Sequence, residues 1–262
     1  MKYTSTFGIA LSGGGHKGIA HAGVLQFLEE QDIRPEIISG TSAGSIVGSL
    51  YAFGKKPMEI LDFFKSVSLF NWSHLSFTKA GFLDANKFER YLKNVFDDKI
   101  LMDLEKELYI SATEIKRGKL KIFHKKTRIV DAVLASSAFP GVFSPVLIND
   151  KAYSDGGILN NYPVNTIQGR CDFLIGSNVN PVLTYKDNSR FQSIKSVALR
   201  AFEIMMMQNA APQNELCDWH IQPEKLAEYS TFETSKKRME EIFIIGYEEA
   251  KDSFEKIKHK LE

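Results

Sequence analysis

The sequence predicts an α/β fold built on a mainly parallel central sheet. Two consecutive strand–loop–helix units near the N-terminus carry that expectation. The first is the apolar run Phe7-Gly8-Ile9-Ala10-Leu11, ended by Ser12 and three glycines, Gly13, Gly14 and Gly15, before a helical pattern begins. The second is Glu36-Ile37-Ile38, which runs through Ser39-Gly40-Thr41-Ser42-Ala43-Gly44-Ser45 into the helical stretch Ile46–Ala52. Short apolar strands alternating with helices read as crossover units, because a parallel sheet is covered on both faces and buries such strands completely.

The remaining elements follow in chain order. The first helix passes through Ile19, Gly23, Phe27 and Leu28 and stops near Gln31-Asp32, ahead of Pro35. Between residues 57 and 104 helical segments alternate with aromatics: Phe63, Phe64, Phe70, Trp72, Phe77 and Phe82. They suit a lid or pocket wall, or ordinary core packing. Leu108–Thr113 reads as a strand that returns through an Arg117-Gly118 turn to Leu120–Phe123. Lys116, Arg117, Lys119, Lys121, Lys125, Lys126 and Arg128 surround this hairpin. Such cations guard an edge strand against aggregation, the favoured reading over an anionic-membrane patch. A short helix, Ile129–Ala138, is stopped by Phe139-Pro140-Gly141. A hairpin of 142–148 and 152–154 turns at Asn149-Asp150 and delivers Asp155-Gly156-Gly157. Asp172–Val179 is a buried strand, Arg190–Asn209 a helix and Trp219–Ile221 a last short strand. The C-terminal helical region, 190–262, ends in an amphipathic helix with Met239, Ile242, Phe243, Gly246, Ala250, Phe254, Ile257 and Leu261 on one face. Its other face mixes Lys and Glu, which favours packing on the domain over lying on a membrane.

Composition bounds the function. A chain of 262 residues, 44% hydrophobic, suffices for one core, and without repeats or linkers 1–262 reads as a single domain. A net charge of +1 gives no reason to expect nucleic acid as a partner. Cys171 and Cys217 form no C-x-x-C pattern and suggest buried thiols in a reducing compartment. No apolar run approaches the roughly 20 residues of a membrane span, and the residues before Phe7 carry no signal-peptide hydrophobic stretch. The expectation is a cytoplasmic protein, free to touch membranes peripherally.

Chemistry concentrates in three motifs. Gly40, Ser42 and Gly44 fit G-x-S-x-G between a strand and a helix, the setting of a nucleophile elbow. Gly13, Gly15 and Gly18 fit G-x-G-x-x-G, but a dinucleotide fold also needs an acid ending the second strand. Here that strand ends Ser39-Gly40-Thr41-Ser42, so the reading fails. A phosphate loop fails too, because Lys17 lacks the required glycine spacing and is followed by Gly18. The alternative is an oxyanion hole, in which N–H groups of Gly13, Gly14 and Gly15 converge at a helix start. Adjacent parallel strands would bring this loop and the elbow to one sheet edge. As the base, His16 lies inside the glycine loop, but Asp155, at a strand end before two glycines, is the better candidate. No cluster has metal-ligand spacing, and neither metal nor cofactor is expected.

Together these stretches resemble the patatin-like phospholipases. Gly13-Gly14-Gly15-His16-Lys17-Gly18 is similar to that family's oxyanion motif, with Lys17 at its basic position. Gly40-Thr41-Ser42-Ala43-Gly44 resembles its nucleophile motif and Asp155-Gly156-Gly157 its aspartate motif. Ala135–Phe143 resembles its pocket-lining stretch, and Asn161 and Pro163 match the Asn-rich turn after the aspartate. The motifs lie in the family's order within residues 7–180. The resemblance implies a three-layer α/β/α fold and a Ser42–Asp155 dyad that hydrolyses phospholipid or lysophospholipid acyl esters through an acyl-enzyme. An acyl transferase using the same dyad is the alternative.

Overall fold

The computed structural model describes residues 5–67, 85–181 and 191–261. Its strands are β1 (Phe7–Leu11), β2 (Ile37–Thr41), β3 (Glu107–Glu114), β4 (Lys119–Phe123), β5 (Val146–Ile148), β6 (Lys151–Asp155), β7 (Phe173–Ser177) and β8 (Trp219–Ile221). They form one sheet in the order β5-β6-β3-β2-β1-β7-β8, with β4 also paired to β3. From β3 to β8 neighbouring strands on this path run parallel; β4, β5 and β6 pair antiparallel. The sheet is thus mainly parallel, as the strand–helix alternation predicts.

The helices are α1 (Ile19–Glu30), α2 (Ala43–Ala52), α3 (Pro57–Ser66), α4 (Ala85–Phe96), α5 (Ile129–Ser136), α6 (Ile194–Ala210) and α7 (Lys236–Ile257). Strand residues alternate between two cores. Phe7, Ile9 and Leu11 of β1 and Phe173 and Ile175 of β7 join the larger core with α1, α2 and α7. Ala10, Tyr109 and Leu174 face a smaller cluster with Tyr162, Val164, Ile167 and Ala210. That second face is covered by 3-10 turns, Val164–Thr166 and Ala211–Leu216, and by the end of α6. Both faces are therefore buried, and the strands can be continuously apolar.

Register decides where the functional ends of the strands fall. Along β3, β2 pairs with residues 107–111, where Thr41 lies opposite Ser111. β6 pairs with residues 112–114 from the opposite direction, and its last residue, Asp155, lies opposite Ala112. β4 occupies the other edge of β3 over residues 110–114, so β2 and β6 share one edge and meet end to end. Ser42 and Asp155 are neighbours because two strands terminate head-on against a third.

One expectation needs adjustment. Residues 142–145 are not strand: the N–H groups of Val142 and Phe143 both donate to Phe139 O, at 3.1 and 3.0 Å. The tight turn buries Val142 and places Phe143 at the cleft, and Pro145 brings no donor for a ladder, so β5 is only three residues long. In the 57–104 stretch Phe64 is buried and Phe63 packs against the core; Phe70, Trp72, Phe77 and Phe82 lie outside the described residues, as does Arg190. β4 has Lys119 and Lys121 exposed on an edge strand, the arrangement that guards a free edge.

Candidate active site

Ser42 stands between β2 and α2 with φ 51° and ψ −119°, a conformation that costs a non-glycine residue energy and must be held by its surroundings. Its N–H donates to Ser136 Oγ at 2.8 Å, and that hydroxyl donates onward to Ser111 O at 2.7 Å. Its carbonyl accepts from Ser45 N and Ser45 Oγ at 2.9 and 2.6 Å. The glycines of the motifs sit where backbone meets a neighbour. A Cβ on Gly44 would come 2.2 Å from Leu11 O, on Gly156 2.4 Å from Ser111 O, on Gly18 2.5 Å from Ala43 Cβ and on Gly40 2.6 Å from Gly44 O.

The glycine loop lies at the end of β1, beside the elbow. Gly13 N–H is already committed to Asn161 O at 2.9 Å, and Gly13 O accepts from Asn180 Nδ2. Gly13 therefore shapes the loop rather than offering a donor. Among the described residues the N–H groups of Gly14 and Gly15 have no acceptor. Gly15 has φ 58°, and a Cβ there would lie 2.2 Å from Thr231 O, so only glycine fits. Beneath the loop, His21 is fully buried. Its Nε2 donates to Ser12 O at 2.9 Å and its Nδ1 accepts from Ser177 Oγ at 2.8 Å, a tautomer fixed by the carbonyl, which can only accept. Burial pushes its pKa down to about 4.

Asp155 ends β6 and is 1% exposed. Its Oδ1 accepts from Gly157 N–H at 2.7 Å, whereas Oδ2 has no hydrogen-bond partner among the described residues. Burial pushes its pKa up to about 6; the Gly157 N–H and the neighbouring Ser42 hydroxyl pull the other way. His16 is also buried, with its pKa lowered to about 4 chiefly by desolvation, and its ring meets Phe64 edge-on at 6.4 Å. Lys17 is buried beside Asn180, Glu203 and Met206; burial lowers its pKa to about 8 against the opposing charge of Glu203.

Ser42, Asp155, Gly14, Gly15, His16 and Asn161 line a cleft that, with its opening to solvent, measures about 610 Å³. Ile46, Phe64, Phe88, Phe139, Phe143, Met206 and Phe232 make most of the rest apolar. Several of these contributors have no local sequence signal. Asn209, at the end of α6, accepts from Asn161 N–H at 2.8 Å and donates to Gly157 O at 2.9 Å, clamping the aspartate loop. Phe232 and Thr231 arrive from the chain before α7. Ser136 lies inside the stretch that the sequence flags as pocket-lining, but its bond to the elbow becomes visible only in three dimensions. Among the described residues no group of three His, Cys, Asp or Glu side chains could hold a metal, and no helix is long and apolar enough to cross a membrane.

Comparison with known proteins gives a consistent result. The chain is 24% identical over 283 residues to lysophospholipase nte1 of Emericella nidulans, covering 96% of this chain and 18% of that protein. It is 32% identical over 187 residues to lysophospholipase NTE1 of Candida glabrata, covering 67% of this chain and 10% of that protein. The chain thus spans less than a fifth of the length of either relative. Among solved structures, VipD from Legionella pneumophila matches with a TM-score of 0.60 at 15% identity, over 97% of this chain and 67% of that one, a likeness of fold. The family model for patatin-like phospholipases matches residues 9–167, which hold the glycine loop, the elbow and the aspartate motif. This chain belongs to the patatin-like phospholipase family.

Proposed function

We propose that this chain is a lipid acyl hydrolase that cleaves acyl esters of phospholipids or lysophospholipids, with Ser42 as nucleophile and Asp155 as its base. The observation that carries the reading is the meeting of a strained elbow serine with a buried, half-bonded carboxylate in a cleft lined mostly by apolar side chains. Ser42 Oγ attacks the acyl carbonyl and its proton passes to Asp155. The oxyanion that forms is held by the Gly14 and Gly15 N–H groups, which open the 3-10 turn Gly15–Gly18 ahead of α1 and have no other acceptor among the described residues. Asp155 returns the proton to the leaving alcohol, and water then releases the fatty acid.

An aspartate near 3.9 is a weak base at neutral pH. Raised to about 6, Asp155 remains ionised at pH 7 while holding a transferred proton better. His16, lowered to about 4, is the poorer base. The aromatic and aliphatic cleft suits an acyl chain, and the lysophospholipase names of the relatives support the substrate class. A fluorophosphonate probe tests the assignment: it should label the chain once, at Ser42, and not label Ser42→Ala. Defined phospholipids and lysophospholipids, with products read by mass spectrometry, then identify the substrate. Labelling that survives Ser42→Ala would reject the nucleophile.

A further inference from the structure

Asn161 is fully buried and lines the cleft, yet neither its Oδ1 nor its Nδ2 has a hydrogen-bond partner among the described residues. A buried amide with both ends unbonded is rare and costly, because water is surrendered and nothing replaces it. Asp155 Oδ2 is in the same condition. The two side chains are close. A Cβ on Gly13 would lie 2.5 Å from Asn161 Oδ1 and 3.2 Å from Ser42 Cβ. A Cβ on Gly157 would lie 2.9 Å from the same Oδ1 and 3.0 Å from Asp155 Oδ1. The amide therefore sits among nucleophile, base and glycine loop, separated from them by little more than the space that two glycines leave open. Its backbone is pinned on both sides, by Gly13 N–H on its carbonyl and by Asn209 on its N–H, so the side chain cannot swing away to solvent.

We propose that Asn161 and Asp155 Oδ2 together hold the water that deacylates the enzyme, which makes water the favoured acceptor of the acyl group. The inference rests on the Ser42–Asp155 reading above and extends it to the second half-reaction. A held water needs about two to four polar partners, and these two side chains supply them. Water donates one O–H to Asn161 Oδ1 and the other to Asp155 Oδ2, which leaves a lone pair for the acyl carbon. As the oxygen bonds to that carbon, Asp155 takes one proton. The bond from the carbon to Ser42 Oγ then breaks and Asp155 returns the proton to Ser42. The fatty acid leaves with the hydroxyl that Asn161 had oriented. An alcohol has only one O–H, needed by Asp155, and so cannot satisfy Asn161 Oδ1 as well.

Asn161→Leu, close in size, and Asn161→Ala test this in the full chain with a soluble short-chain p-nitrophenyl ester. Fluorophosphonate labelling and the p-nitrophenol burst report acylation; steady-state turnover reports deacylation. Both variants should label and burst within about twofold of wild type, while steady-state turnover falls at least tenfold and the acyl-enzyme appears by mass. Added methanol, which has a single O–H, should restore more turnover in the variants than in wild type. Equal loss in both half-reactions, including failure of both variants to label, would overturn the proposal and make Asn161 an oxyanion donor or a scaffold residue. Unchanged turnover would overturn it too. A burst that persists in Ser42→Ala would instead reject the underlying nucleophile assignment, so the two failures are distinguishable.

Discussion

Replacing Asp155 by asparagine should destroy activity and, at neutral pH, stabilise the protein. The two effects share one cause. The carboxyl is buried, and its pKa stands at about 6 rather than 3.8 because its charged form is poorly solvated. In the window between those values the folded state binds more protons than the unfolded state. Wild-type stability therefore falls as pH rises from about 4 through 6, the reverse of the usual paired carboxylate. At about 1.4 kcal/mol per pKa unit, the full penalty above pH 7 is about 3 kcal/mol. Asparagine carries no charge and keeps an oxygen for Gly157 N–H. Its extra N–H₂ cost is independent of pH, so the stability difference between variant and wild type should grow by about 2–3 kcal/mol from pH 4 to pH 8. Urea unfolding of both proteins at several pH values measures it, and subtraction cancels the titrations of His16 and His21. Turnover in Asp155→Asn should fall by several orders of magnitude, and wild-type kcat/KM should lose activity with one proton below about pH 6. A stability difference that stays flat from pH 4 to pH 8 would refute the burial argument. Near-normal turnover in the variant would refute the base.

Two further substitutions probe how the site is held. Gly44→Ala places a methyl 2.2 Å from Leu11 O, so α2 must move off β1 and carry Ser42 with it. Urea unfolding should show a loss of about 1–3 kcal/mol or more, with reduced fluorophosphonate labelling. His21→Leu strands Ser12 O and Ser177 Oγ beneath the glycine loop and should cost on the order of 2–4 kcal/mol at pH 8. Because the folded pKa of His21 is lowered to about 4, wild type loses His21's contribution as pH falls from 6.5 toward 4. The gap between the two proteins should therefore narrow at acid pH; a gap that widens there would reject the buried, neutral histidine.

Much of the fold and the site is legible in the chain because the signals are local. Ser42 must have a positive φ, and the neighbouring glycines at 40 and 44 record the close backbone passage that such a turn requires. The apolar runs of β1 and β7 record burial on both faces, and the three- and four-residue spacing from Met239 to Ile257 records the packed face of α7. The hairpin strand does not begin at residue 142, because β-branched and aromatic residues favour a ladder only where a partner strand is present. Tertiary demand instead folded Val142 and Phe143 into a turn at the cleft.

Local motifs settle the chemistry available: a hydroxyl on a strained turn, a glycine loop at a helix start and a carboxyl at a strand end. That they meet is a property of the fold, since the end-to-end approach of β2 and β6 along β3 depends on pairing between residues about 40 and about 70 positions apart. The same holds for the proton affinity of Asp155, which is set by how completely the surrounding chain excludes water. It holds as well for the division of labour in the glycine loop. Three identical glycines are equivalent in sequence, and it is the carbonyl of Asn161 that removes Gly13 from the donors and leaves Gly14 and Gly15 facing the cleft.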